Sequence, residues 1–296
     1  MKIKKGKTKD KAPKSGKGIK GAILSALGLV GVFFASAGII AGIASPSRLS
    51  SSKSISQIYT IVDSSGGTYF GPVTEMAYEG VGEFQYLSGG FYEGSFSESM
   101  RSGDGTFRWP NGDSYVGTWN EDAMLSGTYT FTNGSTFVGT FQNNKLSEGT
   151  FDLGTNAMEN GLTAFKATYE SGKITALEYE TADGLKYKGA VDGEANITYE
   201  NGDTYAGAVK AGVRDGKGIY TWKNESGGTE AKYDGAWVDG VMQGSGIYYY
   251  SSASYPYLTG TFVNGKPDGT AVYYKEADNT FDTTWAAGKC SAVKET

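Results

Sequence analysis

The side chains of this chain best suited to recognition chemistry are rings that return in a fixed register. Tyr92, Phe96, Tyr115, Trp119, Phe137, Phe141, Tyr205, Tyr233, Trp237 and Phe262 sit at equivalent places in successive copies of one short pattern. Rings exposed in a groove suit protein hot spots, sugar faces or quaternary ammonium groups, so these ten are the candidate partner-binding residues. The same ten also read as the packing of the array itself. Covalent chemistry has little to work with. The chain has no histidine, which removes Ser/His/Asp and Cys/His catalysis, and no Gly-x-Ser-x-Gly elbow. Its single cysteine, Cys290, rules out an internal disulfide and a cysteine zinc site. The Gly-x-Gly pairs lead into strands, not helices, so they do not read as nucleotide loops. Asp104, Asp113, Asp203 and Asp215 lie near turns without the ligand rhythm of a calcium loop and read as turn caps. No catalytic, cofactor or metal site is expected.

These rings must be held by strands. The aligned leading positions are Tyr69, Tyr92, Tyr115, Phe137, Phe165, Tyr187, Tyr205, Tyr233, Leu258 and Phe281, spaced 18 to 28 residues apart. Two residues on stands glycine, except for Ala167 and Thr283; four on stands a bulky residue such as Phe96, Trp119, Trp237 or Phe262. Side chains alternate faces along a strand, so all three positions point one way. A ring from the adjoining strand is expected to lie on the bare glycine. Thr283 should fit this arrangement worse than glycine and mark a frayed last unit.

Further along each unit, pairs such as Gly103 and Gly105 or Gly244 and Gly246 precede a second strand with alternate rings, as in Tyr248 and Tyr250. Each unit is therefore a hairpin. Asn111-Gly112, Asn133-Gly134, Asp183-Gly184 and Asn201-Gly202 mark the joins between units, where type I′ turns are expected. The reading is an all-β repeat array over residues 58–296, an elongated and twisted single antiparallel sheet of stacked β-hairpins. Asp152 to Thr181 is its least regular stretch and is expected to hold a loop or kink dividing the array.

Residues 1–20 carry nine lysines and one acid, a net charge of +8, against −13 for the remainder. Gly21 to Ala44 then runs 24 residues without a charge. At about 1.5 Å per residue that is long enough to cross a hydrocarbon core of about 30 Å. The expected order is a basic cytoplasmic tail (1–20), one transmembrane helix (21–44), a Ser-rich linker (45–57) and the array. The positive-inside tendency places the array outside the membrane. A cleaved signal peptide is the rival reading, and the length of the apolar run favours a retained anchor.

The pattern Tyr-x-Gly-x-Trp-x-x-Gly-x-x-x-Gly-x-Gly, complete from Tyr233 to Gly246 and nearly so from Tyr205 to Gly218, resembles the MORN repeat. The resemblance implies an elongated single-sheet array acting as a scaffold or targeting module, associated with membranes. It also implies lipid binding, which an acidic region disfavours. Nucleic acid is disfavoured by the same charge. The expected function is that of a non-enzymatic, membrane-anchored protein-interaction scaffold with a protein partner. The alternative is an envelope module that holds a glycan or a choline-bearing polymer on exposed rings.

Overall fold

The computed structural model describes residues 57–155, 157 and 161–296. The expected basic tail (1–20), the membrane helix (21–44) and all but the last residue of the linker (45–57) lie outside the described residues. Among the described residues, no helix is long and apolar enough to cross a membrane.

The described chain is all-β, and every observed ladder is antiparallel. It divides into two compact units, with the boundary after Thr175, inside the stretch expected to interrupt the array. The first unit contains β1 (Gln57–Val62), β2 (Thr68–Thr74), β3 (Ala77–Tyr78), β4 (Gly80–Gln85), β5 (Phe91–Ser97), β6 (Met100–Arg108), β7 (Ser114–Asn120), β8 (Ala123–Thr130), β9 (Thr136–Gln142), β10 (Lys145–Asp152) and β11 (Leu162–Glu170). The boundary falls within β12 (Lys173–Thr181). The second unit continues through β13 (Lys186–Ala190), β14 (Gly193–Thr198), β15 (Thr204–Lys210), β16 (Val213–Lys223), β17 (Thr229–Val238), β18 (Val241–Tyr249), β19 (Tyr257–Val263), β20 (Lys266–Glu276), β21 (Asn279–Ala286) and β22 (Lys289–Glu295). In each unit strands pair with near neighbours in sequence, the short β3 and β4 both with β2, so contacts stay local and stability accrues repeat by repeat.

The alternation holds through the units. Tyr92, Gly94 and Phe96 share the inner face of β5, as Tyr233, Gly235 and Trp237 share that of β17. Glycines face each other across the ladder, Gly94 with Gly105, Gly117 with Gly127 and Gly235 with Gly246. One tyrosine covers each pair, so the glycine two residues after it is covered from its own strand, not from the adjoining one as expected, while the facing glycine is covered from the adjoining strand. A Cβ added to Gly117 would stand 2.6 Å from both the Tyr115 hydroxyl and the Gly127 Cα. The physical reason is a local hydrogen bond. The tyrosine lies along its own strand and donates its hydroxyl to the carbonyl three residues on: Tyr92 to Ser95 (2.9 Å), Tyr115 to Thr118 (2.9 Å), Tyr205 to Ala208 (2.6 Å), and likewise Tyr187 to Ala190. Any side chain at the glycine would block that path.

The turns also differ from expectation. At the Asn-Gly and Asp-Gly joins only the glycine has positive φ, 95° at Gly112 and 94° at Gly184. Trp109 N–H bonds Asp113 C=O and Gly112 N–H bonds Trp109 C=O, which defines a three-residue loop closed by a left-handed glycine. Two-residue turns with paired positive φ occur instead inside hairpins, at Glu98-Ser99 (48°, 64°), Glu121-Asp122 (46°, 68°) and Asn143-Asn144 (52°, 57°). Non-glycine residues there cost about 1–2 kcal/mol each in isolation. Contacts from the preceding hairpin compensate. Its side chain caps the first turn amide, as Glu79 does for Glu98 (2.7 Å), Asp192 for Ala211 (2.8 Å) and Asp215 for Asp239 (3.3 Å). Its backbone carbonyl takes the second, as Tyr78 does for Ser99 (3.1 Å) and Arg214 for Gly240 (2.8 Å). The turns thus stack into a column.

Thr283 is not the misfit expected. It is buried, donates to the Ala271 carbonyl (2.7 Å) and accepts from the Trp285 indole (2.8 Å), so its hydroxyl is fully used.

Candidate functional site

All ten candidate rings lie on the inner face, none more than 5% exposed. The fold brings them together within each unit as a herringbone. Tyr115 stands edge-on between Trp119 (5.1 Å, 90°) and Phe141 (5.2 Å, 86°), and Phe137 packs on Phe141 (5.4 Å). Tyr92 meets both Phe96 (5.0 Å) and Trp119 (5.5 Å). Tyr205 meets Trp237 (5.7 Å), while Tyr233 stands between Trp237 (5.3 Å) and Phe262 (4.9 Å). Such edge contacts add about 0.5–1.5 kcal/mol per pair beyond the burial of area. In this structure the ten rings pack against their own array.

Two inner cages hold a cation already. Arg101, 4% exposed, places its guanidinium 4.4 Å from the Trp119 ring centre and 5.2 Å from that of Phe107. Its Nε donates to Asp122 Oδ1 (2.8 Å) and its Nη2 to the Asp122 carbonyl (3.1 Å). Arg214, 1% exposed, lies 4.6 Å from Trp237 and 5.0 Å from Tyr220. It donates to the Tyr199 hydroxyl (2.9 Å) and the Gly240 carbonyl (2.6 Å), and its Nε has no hydrogen-bond partner. Gly240 stands where Asp122 stands in the first unit, so the second arginine lacks that carboxylate. Neither arginine was singled out in the sequence. The available signal was their position nine residues after Tyr92 and Tyr205, where sibling units carry Tyr78, Met124 and Met242.

Asp113 and Asp203, expected as turn caps, hold successive joins together. Asp113 accepts from Tyr129 (2.7 Å), the Thr132 amide (2.8 Å) and Asn111 (3.0 Å). Asp203 accepts from Tyr220 (2.8 Å), the Lys223 amide (2.7 Å) and Asn201 (2.8 Å). Burial pushes the Asp113 carboxyl up, but its four donor contacts outweigh burial and hold it below the usual carboxylate range. Among the described residues, no group of three or more His, Cys, Asp or Glu is placed to hold a metal.

The outer face of the second unit carries a different aromatic feature. Strand pairing sets Thr221, Lys232, Tyr249, Tyr257 and Tyr274 opposite one another in one row across β16 to β20. Tyr257 and Tyr274 stack at 4.4 Å and 14°, Tyr255 stacks on Tyr257 at 5.4 Å, and Tyr249 stands 5.5 Å from Tyr257. The Lys232 ammonium lies 4.1 Å from the Tyr249 ring centre. The loop Ser251 to Ser254 overhangs an open depression of about 500 Å³ floored by Lys232, Ile247 and Tyr249 and edged by Thr221 and Thr229. Sequence reasoning followed Tyr248 and Tyr250 and passed over Tyr249. In a Tyr-Tyr-Tyr run the middle ring must face the other way.

Repeated hairpins with a glycine-seated tyrosine and a shared aromatic seam define a β-hairpin repeat protein. The family model described as MORN repeat matches residues 92–114, 115–136, 205–227, 233–254 and 259–276. The chain carries five MORN repeats. It is 35% identical over 86 residues to alsin of Rattus norvegicus, and 34% identical over 86 residues to alsin of Homo sapiens. Each match covers 29% of this chain, which spans about 5% of the length of these relatives. Among solved structures, the TCP10 domain of Danio rerio CPAP aligns at TM-score 0.35 and 10% identity, over 80% of this chain and 100% of that one. The SAS-4 TCP domain of Drosophila melanogaster, in complex with a proline-rich motif of Ana2, aligns at TM-score 0.30 and 13% identity, over 56% of this chain and 100% of that one.

Proposed function

We propose that this chain is a membrane-anchored, non-enzymatic scaffold that displays its repeat array outside the membrane and captures a protein partner on the outer tyrosine row of the second unit. The observation carrying this reading is the row Lys232, Tyr249, Tyr257 and Tyr274, an aromatic comb on the outer face, not the ring-packed inner one. Its occupant is an extended peptide segment bearing a carboxylate. Lys232 supplies the matching charge and has no carboxylate within ion-pair distance among the described residues. Tyr257 stacks with both Tyr274 (4.4 Å) and Tyr255 (5.4 Å), and Lys232 lies over Tyr249, so ring face in the row is already engaged. Edges and hydroxyls suit peptide amides and side chains, whereas a sugar needs an open ring face. A choline group would meet the Lys232 ammonium over Tyr249 and be repelled.

The anchor rests on the uncharged run Gly21 to Ala44 and the nine lysines before it. Protease added to intact cells should remove the array and spare the tail. Full removal of both termini, or protection of both, refutes that topology. For the partner site, the full chain and a variant with Tyr249→Ser, Tyr257→Ser and Tyr274→Ser are tested on separated envelope proteins and envelope polysaccharide. The reading expects saturable retention of a discrete protein that falls at least tenfold in the variant, with thermal unfolding unchanged. Equal retention by the variant overturns it, as does retention on polysaccharide released by sugar or choline.

A further inference from the structure

Among the described residues, the first strand of the first unit forms an open edge whose chemistry is unlike that of the other strands. Among the described residues β1 pairs with β2 alone, and its sequence Gln-Ile-Tyr-Thr-Ile-Val has no charge, glycine or proline. Ile58 and Val62 are 67% and 70% exposed on the outer face, and Phe70, opposite Thr60 on β2, is 49% exposed. From Gln57 to Thr74 the one charged residue is Asp63, which is buried and bonded to Ser65 and Gly67. Natural sheets guard such edges with lysine, proline or a bulge, because open backbone groups recruit another strand. At the other end β22 is guarded in this way, by Lys289 and Lys294. At β1 no such guard is present among the described residues.

The direction of the free backbone groups follows from the ladder. Asp63 N–H bonds the Gly67 carbonyl, and antiparallel bonding alternates from there. Asp63, Ile61 and Tyr59 therefore turn toward β2. Ile58, Thr60 and Val62 present their N–H and C=O groups to the open edge.

We propose that this edge pairs with β1 of a second copy of the chain, forming an antiparallel two-fold ladder centred on Thr60. Cross-strand neighbours must share a face, so only residues of like parity can face each other. With Thr60 opposite its own copy, Ile58 meets Val62 on the outer face and Tyr59 meets Ile61 on the inner face. All three edge residues then exchange backbone hydrogen bonds with the copy. A shift of two residues either way puts Thr60 against Ile58 or Val62 and loses the apolar match. Phe70, Thr60, the copy's Thr60 and the copy's Phe70 then form one row across the joint. The contact is isologous and closes at two copies, with no charge to oppose it.

The test uses the full chain with Cys290→Ser. Residues facing themselves across a hydrogen-bonded pair stand about 5.5 Å apart at Cα, within disulfide reach. Thr60→Cys should give a disulfide-linked dimer under mild oxidation at least tenfold faster than Tyr59→Cys, which faces Ile61 of the copy. Thr60→Lys, a change at an exposed position, should abolish the dimer in sedimentation and leave thermal unfolding unchanged. Equal rates for the two cysteine variants, or a dimer that survives Thr60→Lys, overturn the proposal. The outer tyrosine variant should dimerise normally, which separates this edge from the partner site.

Discussion

Two arginines in like ring cages, one with a carboxylate and one without, allow the worth of Asp122 to be worked out from the structure. Asp122 Oδ1 takes both Arg101 Nε (2.8 Å) and the Arg101 amide (3.0 Å), with the two side chains 5% and 13% exposed. Removing one partner of a buried pair costs about 3–5 kcal/mol. Arg101 keeps the Asp122 carbonyl and its rings, so Asp122→Ala should cost the lower end, about 3 kcal/mol, plus about 1 kcal/mol for alanine at a left-handed position. Asp122→Asn keeps the acceptor and tolerates the φ of 68°, exchanging a charged for a neutral hydrogen bond at a cost of about 1–2 kcal/mol. The converse change is Gly240→Asp, which offers Arg214 the carboxylate its Nε lacks. A charged hydrogen bond contributes about 1.5–3 kcal/mol net, and the left-handed backbone takes back about 1–2, so a gain of up to about 1 kcal/mol is expected. Hydrogen exchange read by mass spectrometry separates the two units, which urea melts would blur. Protection of β6 and β7 should fall in the order wild type, Asn, Ala, and protection of β16 and β17 should rise in Gly240→Asp. If Asp122→Ala costs less than about 1 kcal/mol, ring cages and carbonyls alone hold these arginines, and the accounting fails.

Gly105→Ala should destabilise the first unit by about 1–3 kcal/mol, because its Cβ would enter the Tyr92 ring, whereas Gly184→Ala, with nothing within 4 Å, meets only the left-handed penalty. Hydrogen exchange read separately in each unit decides this, and equal losses would sink the seated-tyrosine account. Asp113, held below its ordinary range, stabilises the fold above pH about 4 and gives that up as pH falls through its folded value. Asp113→Asn should therefore flatten the acid limb of the stability profile, and an unchanged limb would show that other carboxyls set it. Burial pushes Tyr115, Tyr199 and Tyr233 up to about 12. Against an unfolded value of about 10, the folded state holds more protons above pH 10, so stability is kept below that pH and falls as pH rises further. Tyrosinate absorbance should appear late and together with unfolding; early titration of most tyrosines in the folded chain would contradict the burial.

The spacing of tyrosine, glycine and bulky residue told which residues share a face because strand periodicity is local and rigid. What it did not tell depends on hydrogen bonds between hairpins. Asn111-Gly112 carries the same letters whether it forms a two-residue or a three-residue turn. The choice is made by Asn111 and Asp113, which bond each other and reach Thr132 in the next join. Glu98 and Ser99 accept positive φ because Glu79 and Tyr78 of the previous hairpin hold their amides. Arg101 and Arg214 read as surface charges in a sequence, yet their register forces them inward, where rings and hydrogen-bond acceptors of the neighbouring hairpins make the burial tolerable. Exposure was equally hidden: Tyr248 and Tyr249 differ by one position and by the whole thickness of the sheet.

That difference carries the functional argument. The inner rings are consumed three times over, by edge contacts with each other, by hydroxyl bonds to their own strands and by enclosure of two arginines. A partner that used them would have to displace all three. The outer row of Tyr249, Tyr257 and Tyr274 is held by ring contacts on the outer face and by Lys232 over Tyr249, so substitutions there should separate binding from stability. Tyr92→Phe, which deletes one hydroxyl bond to Ser95, should cost about 1 kcal/mol of first-unit stability and leave partner affinity unchanged. Tyr257→Ser should do the reverse, weakening partner capture at unaltered thermal unfolding. If Tyr92→Phe weakens capture as much as Tyr257→Ser does, recognition runs through the seam of the array and the outer row is only decoration.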